Sequence, residues 1–135
     1  MSERILGWRE WVVLPALGGL RLEAKLDTGA RTSTLHAETI EPFRRRGRAW
    51  VRFSTAGDGT RLELPAIDRR DVRNSTGHTQ ARYVVETDLV LATVTVRIEL
   101  TLTDRSRMRY PMLIGRTALA GRFVVDPARV HLGGA

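Results

Sequence analysis

Residues 22–33 read LEAKLDTGARTS, and the LDTGA segment at residues 26–30 is the sharpest feature of the sequence. Residues 20–26 are predicted to form a strand after a tight turn at Gly18-Gly19. Asp27 therefore lies at the end of this strand, immediately before a turn formed by Thr28 and Gly29. An aspartate in this position is held rigidly, with its carboxylate presented outward and backbone N–H groups within reach. Asp-Thr-Gly also occurs as an ordinary turn, so its meaning depends on the rest of the chain.

Outward from this segment, short strand patterns alternate with turn signals. The run 93–103 (TVTVRIELTLT) alternates strictly and is rich in β-branched residues, which is typical of a strand. Further strands are predicted at residues 11–17, 49–55, 60–65, 80–86, 88–91, 112–114 and 123–125. One short helix is predicted at residues 117–120, with Gly121 at its C-terminus, and the tail from His131 is expected to be loose. These elements indicate a mostly β barrel or sandwich.

The length and composition limit the function classes. A chain of 135 residues predicts a single domain over residues 1–135. The 22 Lys and Arg residues against 15 Asp and Glu give a net charge of +7, which favours anionic partners, although an arginine-rich genome would give the same balance. The absence of cysteine excludes disulfides, a thiol nucleophile and cysteine-ligated zinc. With no membrane-length apolar run and no signal-peptide pattern, a cytoplasmic protein is expected.

A second segment gives the Asp-Thr-Gly turn its context. About 85 residues after Asp27 comes MLIGRTAL at residues 112–119, a short apolar run followed by Gly-Arg and the predicted helix. The two segments together resemble the retropepsin-like aspartic proteases over residues 11–126. The resemblance implies a closed retropepsin-like β-barrel with one short C-terminal helix, acting as a homodimer.

Within that superfamily, KLDTGARTSTLHA together with TLTDRSRMRYPMLIGRTALAGRFVVD is similar to a bacterial family labelled ATP-dependent zinc proteases. Members of that family are often encoded beside ATP-grasp ligases that add glutamates, which implies a functional link to such a ligase. The residues do not support the label, because there is neither a GxxxxGK[ST] loop nor an HExxH pair. The three histidines, His36, His78 and His131, stand far apart in the sequence. We therefore expect no ATP, zinc or other cofactor; the alternative is a zinc site whose ligands are scattered in the sequence and meet only in the fold.

The resemblance assigns roles residue by residue. Asp27 of each subunit would form a catalytic dyad at a two-fold axis, since a C2 interface apposes identical residues. Thr28 would hydrogen-bond across the dimer, and Gly29 would approach the substrate backbone. The neighbouring Ala30 and Thr32 are expected to contact substrate, whereas Ser33, Gly115 and Arg116 support the loop.

A glycine-containing hairpin is expected to close over the substrate as a flap. The candidate is residues 74–78, NSTGH, between residues 71–73 and the strand from Gln80. It would bring Gly77 and His78 to the substrate. A surface loop is the alternative reading of the same residues.

Two departures from the retroviral pattern affect charge. Arg31 and Thr32 replace residues that are commonly acidic there, so Arg116 lacks its expected carboxylate. Its acceptor is then expected to be Asp104 or Asp126, unless Arg116 serves a different purpose. Lys25 replaces an apolar residue of the cleft, and strand alternation places it opposite Ala24 and Leu26. One hypothesis is that Lys25 and Arg31 flank the cleft and favour acidic or glutamate-extended peptides. The other is that both are solvated surface charges.

Two rival functions remain. The first is a retropepsin-like module that binds a peptide or partner without cleaving it. The second rests on FRRRGRAWVRF at residues 43–53, where basic residues alternate with aromatics, as in surfaces that bind nucleic acid. Such a run is more often a solvated turn leading into a strand with Trp50 in the core, so nucleic acid is the weaker prediction.

Overall fold

The computed structural model describes residues 3–55, 59–73 and 76–134. In these ranges the chain is mostly β, with one four-residue helix, α1 (Arg116–Leu119), and a 3-10 turn at Pro15–Leu17. No helix in the described ranges is long and apolar enough to cross a membrane. The strands are β1 (Arg4–Gly7), β2 (Arg9–Leu14), β3 (Leu20–Asp27), β4 (Ser33–His36), β5 (Glu38–Arg45), β6 (Arg48–Ser54), β7 (Leu62–Arg73), β8 (Thr79–Leu91), β9 (Val94–Thr103), β10 (Met112–Gly115) and β11 (Phe123–Asp126).

The main sheet returns on itself. Its strand order is β2-β3-β10-β4-β9-β8-β7-β6-β5, and β2 also pairs with β8 through Val12 with Leu91 and Val13 with Val90. The strands from β2 to β8 therefore form a ring, and β7, β6 and β5 extend outward from it. Strands β1 and β11 pair in parallel as a separate two-stranded sheet.

Strand alternation builds the core inside this ring. In β3 the side chains of Leu22, Ala24 and Leu26 are buried whereas Lys25 is exposed, as the sequence predicts. Strand β9 buries Val96, Ile98 and Leu100 in the same way. Because side chains of successive strand residues point to opposite faces, one face of each strand can fill the core while the other carries charge.

The predicted strand boundaries need three corrections. Residues 15–17 form a 3-10 turn rather than the end of a strand, since Pro15 has no N–H to donate to a ladder. The two predicted strands at 80–86 and 88–91 are one strand, β8, which pairs with β9 continuously from Val84 to Leu91. The strand predicted at 60–65 continues to Arg73, because the second half of β7 pairs with β8.

The sequence patterns missed three strands. Strands β1 and β4 have only four residues each, too short for alternation to be recognised. Strand β5 contains Pro42 and two arginines, a composition that is more typical of a loop. Proline is tolerated in β5 because this is the edge strand of the sheet, where one side of the strand needs no backbone N–H donors. The run that begins at Phe43 is therefore a hairpin between β5 and β6.

The C-terminal tail is pinned, so the expectation that it is loose from His131 is wrong. The buried carboxylate of Glu10 accepts hydrogen bonds from the backbone N–H groups of Gly7, Leu132 and Gly133 at 2.7, 2.8 and 2.9 Å. The backbone N–H of His131 also donates to the Arg9 carbonyl. One buried acid thus joins both ends of the chain, and three donors offset its desolvation.

Candidate active site

Asp27 is the last residue of β3, where the strand turns. Its Oδ1 accepts a hydrogen bond of 2.9 Å from the backbone N–H of Gly29, and its carbonyl accepts one of 3.2 Å from Ala30. The half-buried carboxylate is therefore oriented by the backbone of its own turn. As expected for an aspartate at the end of a strand, Asp27 has a backbone N–H donor within hydrogen-bond distance.

The turn after Asp27 is fixed by the segment Gly115-Arg116-Thr117. The side chain of Arg116 donates to the Gly29 carbonyl at 3.1 Å, and its backbone N–H donates to the Ala30 carbonyl at 2.7 Å. The hydroxyl and backbone N–H of Thr117 both donate to the Arg31 carbonyl, at 2.8 and 3.2 Å. Three successive carbonyls are satisfied by this one neighbouring segment.

These contacts correct the prediction for Arg116. Its partner is the backbone oxygen of Gly29, not the carboxylate of Asp104 or Asp126. Asp104 instead accepts from the Ser106 N–H, and Asp126 accepts from the Ala128 N–H. A backbone acceptor leaves no sequence signal, because every residue has a carbonyl.

Gly115 and Ser33 bring the two segments into close contact. Gly115 pairs with Asp27 in the parallel register of β10 and β3, and its N–H donates to the buried Ser33 hydroxyl at 3.0 Å. A Cβ added at Gly115 would lie 2.7 Å from the carbonyl carbon of Thr32 and 2.9 Å from that of Arg31. Only glycine fits here, because the added Cβ would overlap the backbone of the neighbouring segment.

The remaining predicted site residues around the turn differ in exposure. Thr28, Gly29, Arg31 and Lys25 are exposed, whereas Ala30 and Thr32 are half-buried. The turn is thus open to solvent on its outer side. Lys25 lies on the outer face of β3, as alternation predicts.

The predicted flap residues lie at the end of a long hairpin. Strands β7 and β8 pair from Ala66 with Val85 out to Arg73 with Thr79. Gly77 has a φ of 87°, a left-handed conformation that glycine favours, and the Thr76 hydroxyl lies 3.1 Å from Nδ1 of His78. Asn74 and Ser75 lie outside the described residues. The two paired strands that a flap at these residues requires are therefore present, one ending at Arg73 and the other beginning at Thr79.

Sequence analysis did not single out two partly buried arginines, Arg105 and Arg82. Burial lowers the pKa of the Arg105 guanidinium, the charge of Arg82 lowers it further, and the Asp27 carboxylate raises it. Burial likewise lowers the pKa of Arg82. Arg82 lies on β8 and Arg105 in the loop after β9. Their sequence separation left no pattern that could have joined them.

His36, Glu38 and Asp104 are close enough together to be considered as metal ligands. His36 Nε2 lies 3.2 Å from Glu38 Oε1, and its Nδ1 accepts the Arg105 backbone N–H at 2.8 Å and lies 3.7 Å from Asp104 Oδ1. The two carboxylates thus face different nitrogens of one imidazole, and Nδ1 already has a donor. These contacts suit a hydrogen-bonded histidine better than a zinc ligand, so no step of the chemistry is assigned to a metal.

In the rival nucleic-acid surface, two of the five arginines at residues 43–53 share one carboxylate. Arg45 and Arg52 each contact a Glu63 carboxylate oxygen at 2.8 Å, and both guanidinium groups lie over the Phe43 ring. Trp50 is half-buried and stacks beneath Arg45, so the expectation that it lies in the core is wrong. Two of the arginines that would bind phosphates are already paired within the chain.

Comparison with known proteins places these features in a family context. Residues 5–133 match a family model described as RimB-like, retropepsin-like aspartic endopeptidase RimB. In solved structures, a Legionella pneumophila protein of unknown function superposes with a TM-score of 0.85 at 30% identity, covering 98% of this chain and 100% of that one.

Curated relatives are longer proteins. A probable alpha-L-glutamate ligase of Parasynechococcus marenigrum is 44% identical over 133 residues, and one of Shewanella pealeana is 40% identical over 130 residues. These matches cover 94% and 92% of this chain but 28% of each relative. The chain therefore spans little more than a quarter of the curated relatives it matches.

Proposed function

Because this chain belongs to the RimB-like family of retropepsin-like aspartic endopeptidases, we propose that it is a homodimeric endopeptidase whose dyad is Asp27 of each subunit. The observation that carries the proposal is the turn after Asp27, where Arg116 and Thr117 fix the carbonyls of residues 29–31. Catalysis requires reacting groups to be held in a productive geometry, and this turn is held from several directions. In this proposal the ring of strands closes as the barrel of the retropepsin fold.

The dyad chemistry follows from two carboxyl groups and one water. Carboxylates roughly 3 Å apart cannot both ionise, so the pair shares one proton, as in the aspartic proteases that are the general example of this coupling. The ionised carboxylate accepts a proton from water, whose oxygen attacks the scissile carbonyl carbon while the protonated partner hydrogen-bonds to the carbonyl oxygen. Collapse of the tetrahedral intermediate breaks the C–N bond, and the leaving nitrogen takes a proton from the dyad.

A second copy of the chain supplies the second aspartate in this proposal, because the sequence contains one Asp-Thr-Gly. The two-stranded sheet of β1 and β11 is the candidate contact. Ile5 and Val124 are neighbours in its register and are 58% and 44% exposed. A two-stranded sheet is marginal by itself, and added strands from a second copy would cover this apolar pair.

The proposed substrate is an extended, acidic peptide, including glutamate-extended protein tails. The net charge of +7 and the probable glutamate ligases among the relatives both support this choice. The peptide would lie between the Asp27 turns and the β7–β8 hairpin, with Gly77 and His78 as flap residues and Lys25, Ala30, Arg31 and Thr32 beside it. A functional link to a glutamate-adding ligase is part of the proposal.

The test is cleavage of a peptide library by the purified protein across pH, with the Asp27→Asn variant alongside and the mass in solution measured. We expect cleavage by the wild type, none by Asp27→Asn, and a dimer. Cleavage that survives loss of Asp27 would contradict the mechanism. A folded dimer that binds peptides without cleaving any would favour the binding module, and salt-sensitive binding to nucleic acid would favour that rival.

A further inference from the structure

The hairpin of β5 and β6 carries a positive charge that its surroundings balance only in part. Residues 44–52 contain five arginines and no acidic residue. In the described ranges the ion pairs of these arginines go to one carboxylate, that of Glu63, which Arg45 and Arg52 share. The hairpin therefore has a large excess of positive charge. The three arginines outside these ion pairs are all exposed, and they are Arg44, Arg46 and Arg48.

Some of these arginines occupy positions where the geometry of a hairpin disfavours them. Arg45 and Arg48 are directly opposite each other in the register of the two strands, and like charges in such a pair are destabilising. Arg46 and Gly47 form the two-residue loop, with φ angles of 52° and 75°. The first position of such a loop favours asparagine, aspartate or glycine. Residues that conflict with local stability are expected where a function requires them.

The aromatic rings of the hairpin already stack with arginine side chains. The Arg45 guanidinium lies 4.4 Å from the centre of the Trp50 ring, and that of Arg52 lies 4.7 Å from the centre of the Phe43 ring. Proteins that bind single-stranded nucleic acid stack bases on such rings, so this hairpin offers a partner its charge rather than a stacking surface. A guanidinium matches the geometry of a carboxylate, which favours an acidic peptide as the partner.

The hairpin also lies beside the strand that leads to the predicted flap. Tyr83 of β8 lines a cavity of about 310 Å³ together with Arg44 and Trp50. The same tyrosine lines a second cavity, of about 350 Å³, that extends to Gln80, the second residue of β8. A peptide that occupied both cavities would run from the hairpin toward residues 77–78, the proposed flap.

We propose that the β5–β6 hairpin is an exosite that binds an acidic segment of the substrate away from the Asp27 turn. Its ligand is a run of consecutive acidic side chains in an extended peptide, which brings several carboxylates to several arginines at once. This inference rests on the proposed function and deepens it, because it assigns part of the preference for acidic peptides to a surface other than Lys25 and Arg31. A single exposed ion pair contributes little, so the exosite depends on the three exposed arginines of the hairpin acting together.

The experiment compares the loss of these three charges with the loss of three charges elsewhere. The exosite variant combines Arg44→Gln, Arg46→Gln and Arg48→Gln. The control variant combines Arg107→Gln, Arg109→Gln and Arg122→Gln, which are also exposed, so both variants lose the same net charge. Cleavage is measured on one peptide with and without a tail of consecutive glutamates. With the tail, we expect KM to rise about 10-fold in the exosite variant and kcat to stay constant, because the lost contacts lie away from the reacting groups. Without the tail, and in the control variant, neither constant should change.

Binding is measured separately, so that the exosite and the proposed activity can fail independently. A labelled peptide of consecutive glutamates is titrated into Asp27→Asn protein with neither triple substitution or with one of them. We expect the Kd to rise about 10-fold with the exosite substitutions and to stay constant with the control substitutions.

Absence of binding, no weakening, or equal weakening by both triple substitutions would overturn the exosite, even if the wild type is an active protease. Tighter binding of a single-stranded oligonucleotide of equal charge, lost with the same arginines, would overturn it in favour of nucleic acid. If the wild type cleaves no peptide, glutamate binding that is lost only with the exosite substitutions would support the exosite while the proposed activity fails.

Discussion

The turn that carries Asp27 and the outer sheet of β5, β6 and β7 are held by different kinds of contact. In the turn, backbone carbonyls accept hydrogen bonds from Arg116 and Thr117, and Gly115 lies against the backbone of Thr32. In the outer sheet, exposed arginines pair with Glu63. The first arrangement fixes a backbone and tolerates little change, whereas exposed ion pairs contribute little to stability.

The largest expected effect is that of Gly115→Ala. The new Cβ would meet the Thr32 carbonyl carbon at 2.7 Å and its oxygen at 2.8 Å, and neither backbone atom can move without displacing the turn. We expect a loss of about 3 kcal/mol in the free energy of unfolding, measured with urea, together with loss of peptide cleavage.

Gly47→Ala is the matched control. Gly47 also resists substitution because its φ is 75°, but no atom lies within 4 Å of the added Cβ. We expect about 1 kcal/mol from the left-handed conformation alone. Equal losses at the two glycines would show that close backbone contact does not distinguish the turn from the outer hairpin.

Arg116→Met tests the side-chain bond to the turn. The substitution keeps an unbranched apolar stem but removes the guanidinium that donates to the Gly29 carbonyl. We expect kcat to fall about 10-fold, because a hydrogen bond to a charged group is lost where the turn must be held. Arg122→Met, at an exposed arginine, should leave kcat unchanged. An unaltered kcat in Arg116→Met would remove this residue from the support of the turn.

A smaller effect is expected when Lys25 and Arg31 are both replaced by Glu. Both side chains are exposed, so their attraction for an acidic peptide is weak. We expect kcat/KM to fall about threefold for acidic peptides and to stay constant for neutral ones. An unchanged preference would show that these two residues are solvated charges only.

The smallest effect is expected from Glu63→Gln in the outer sheet. Hydrogen bonds from Arg45, and then from Arg52, lower the pKa of Glu63 in the folded state below its ordinary value of 4.5. A depressed pKa adds stability above pH 4.5, and that stability disappears as the pH falls through the folded-state value. The stability difference between wild type and variant, from thermal unfolding, should therefore be slight at pH 7 and vanish in acid. A difference that grows in acid would contradict this sign.

The sequence predicted those parts of the molecule whose structure depends on local pattern. Alternation along residues 93–103 predicted β9, and Asp27 and Gly115 occur in two segments whose order indicated the family. Strand β5 was missed because an edge strand accepts Pro42 and arginines that a central strand would reject.

Other contacts had no sequence signal because they join distant side chains to backbone or to each other. The burial of Glu10 depends on amides more than 120 residues away at the other end of the chain. The partner of Arg116 is a carbonyl, which every residue has.

The central claim is that each subunit contributes one Asp27 to a shared active site, and mixing subunits tests it most directly. Wild-type protein is denatured and refolded with Asp27→Asn in varying proportions, and peptide cleavage is measured at a constant total concentration. If the dyad is shared, activity follows the square of the wild-type fraction, so an equal mixture retains about one quarter of it. Activity proportional to the wild-type fraction, with about one half retained, would contradict the account.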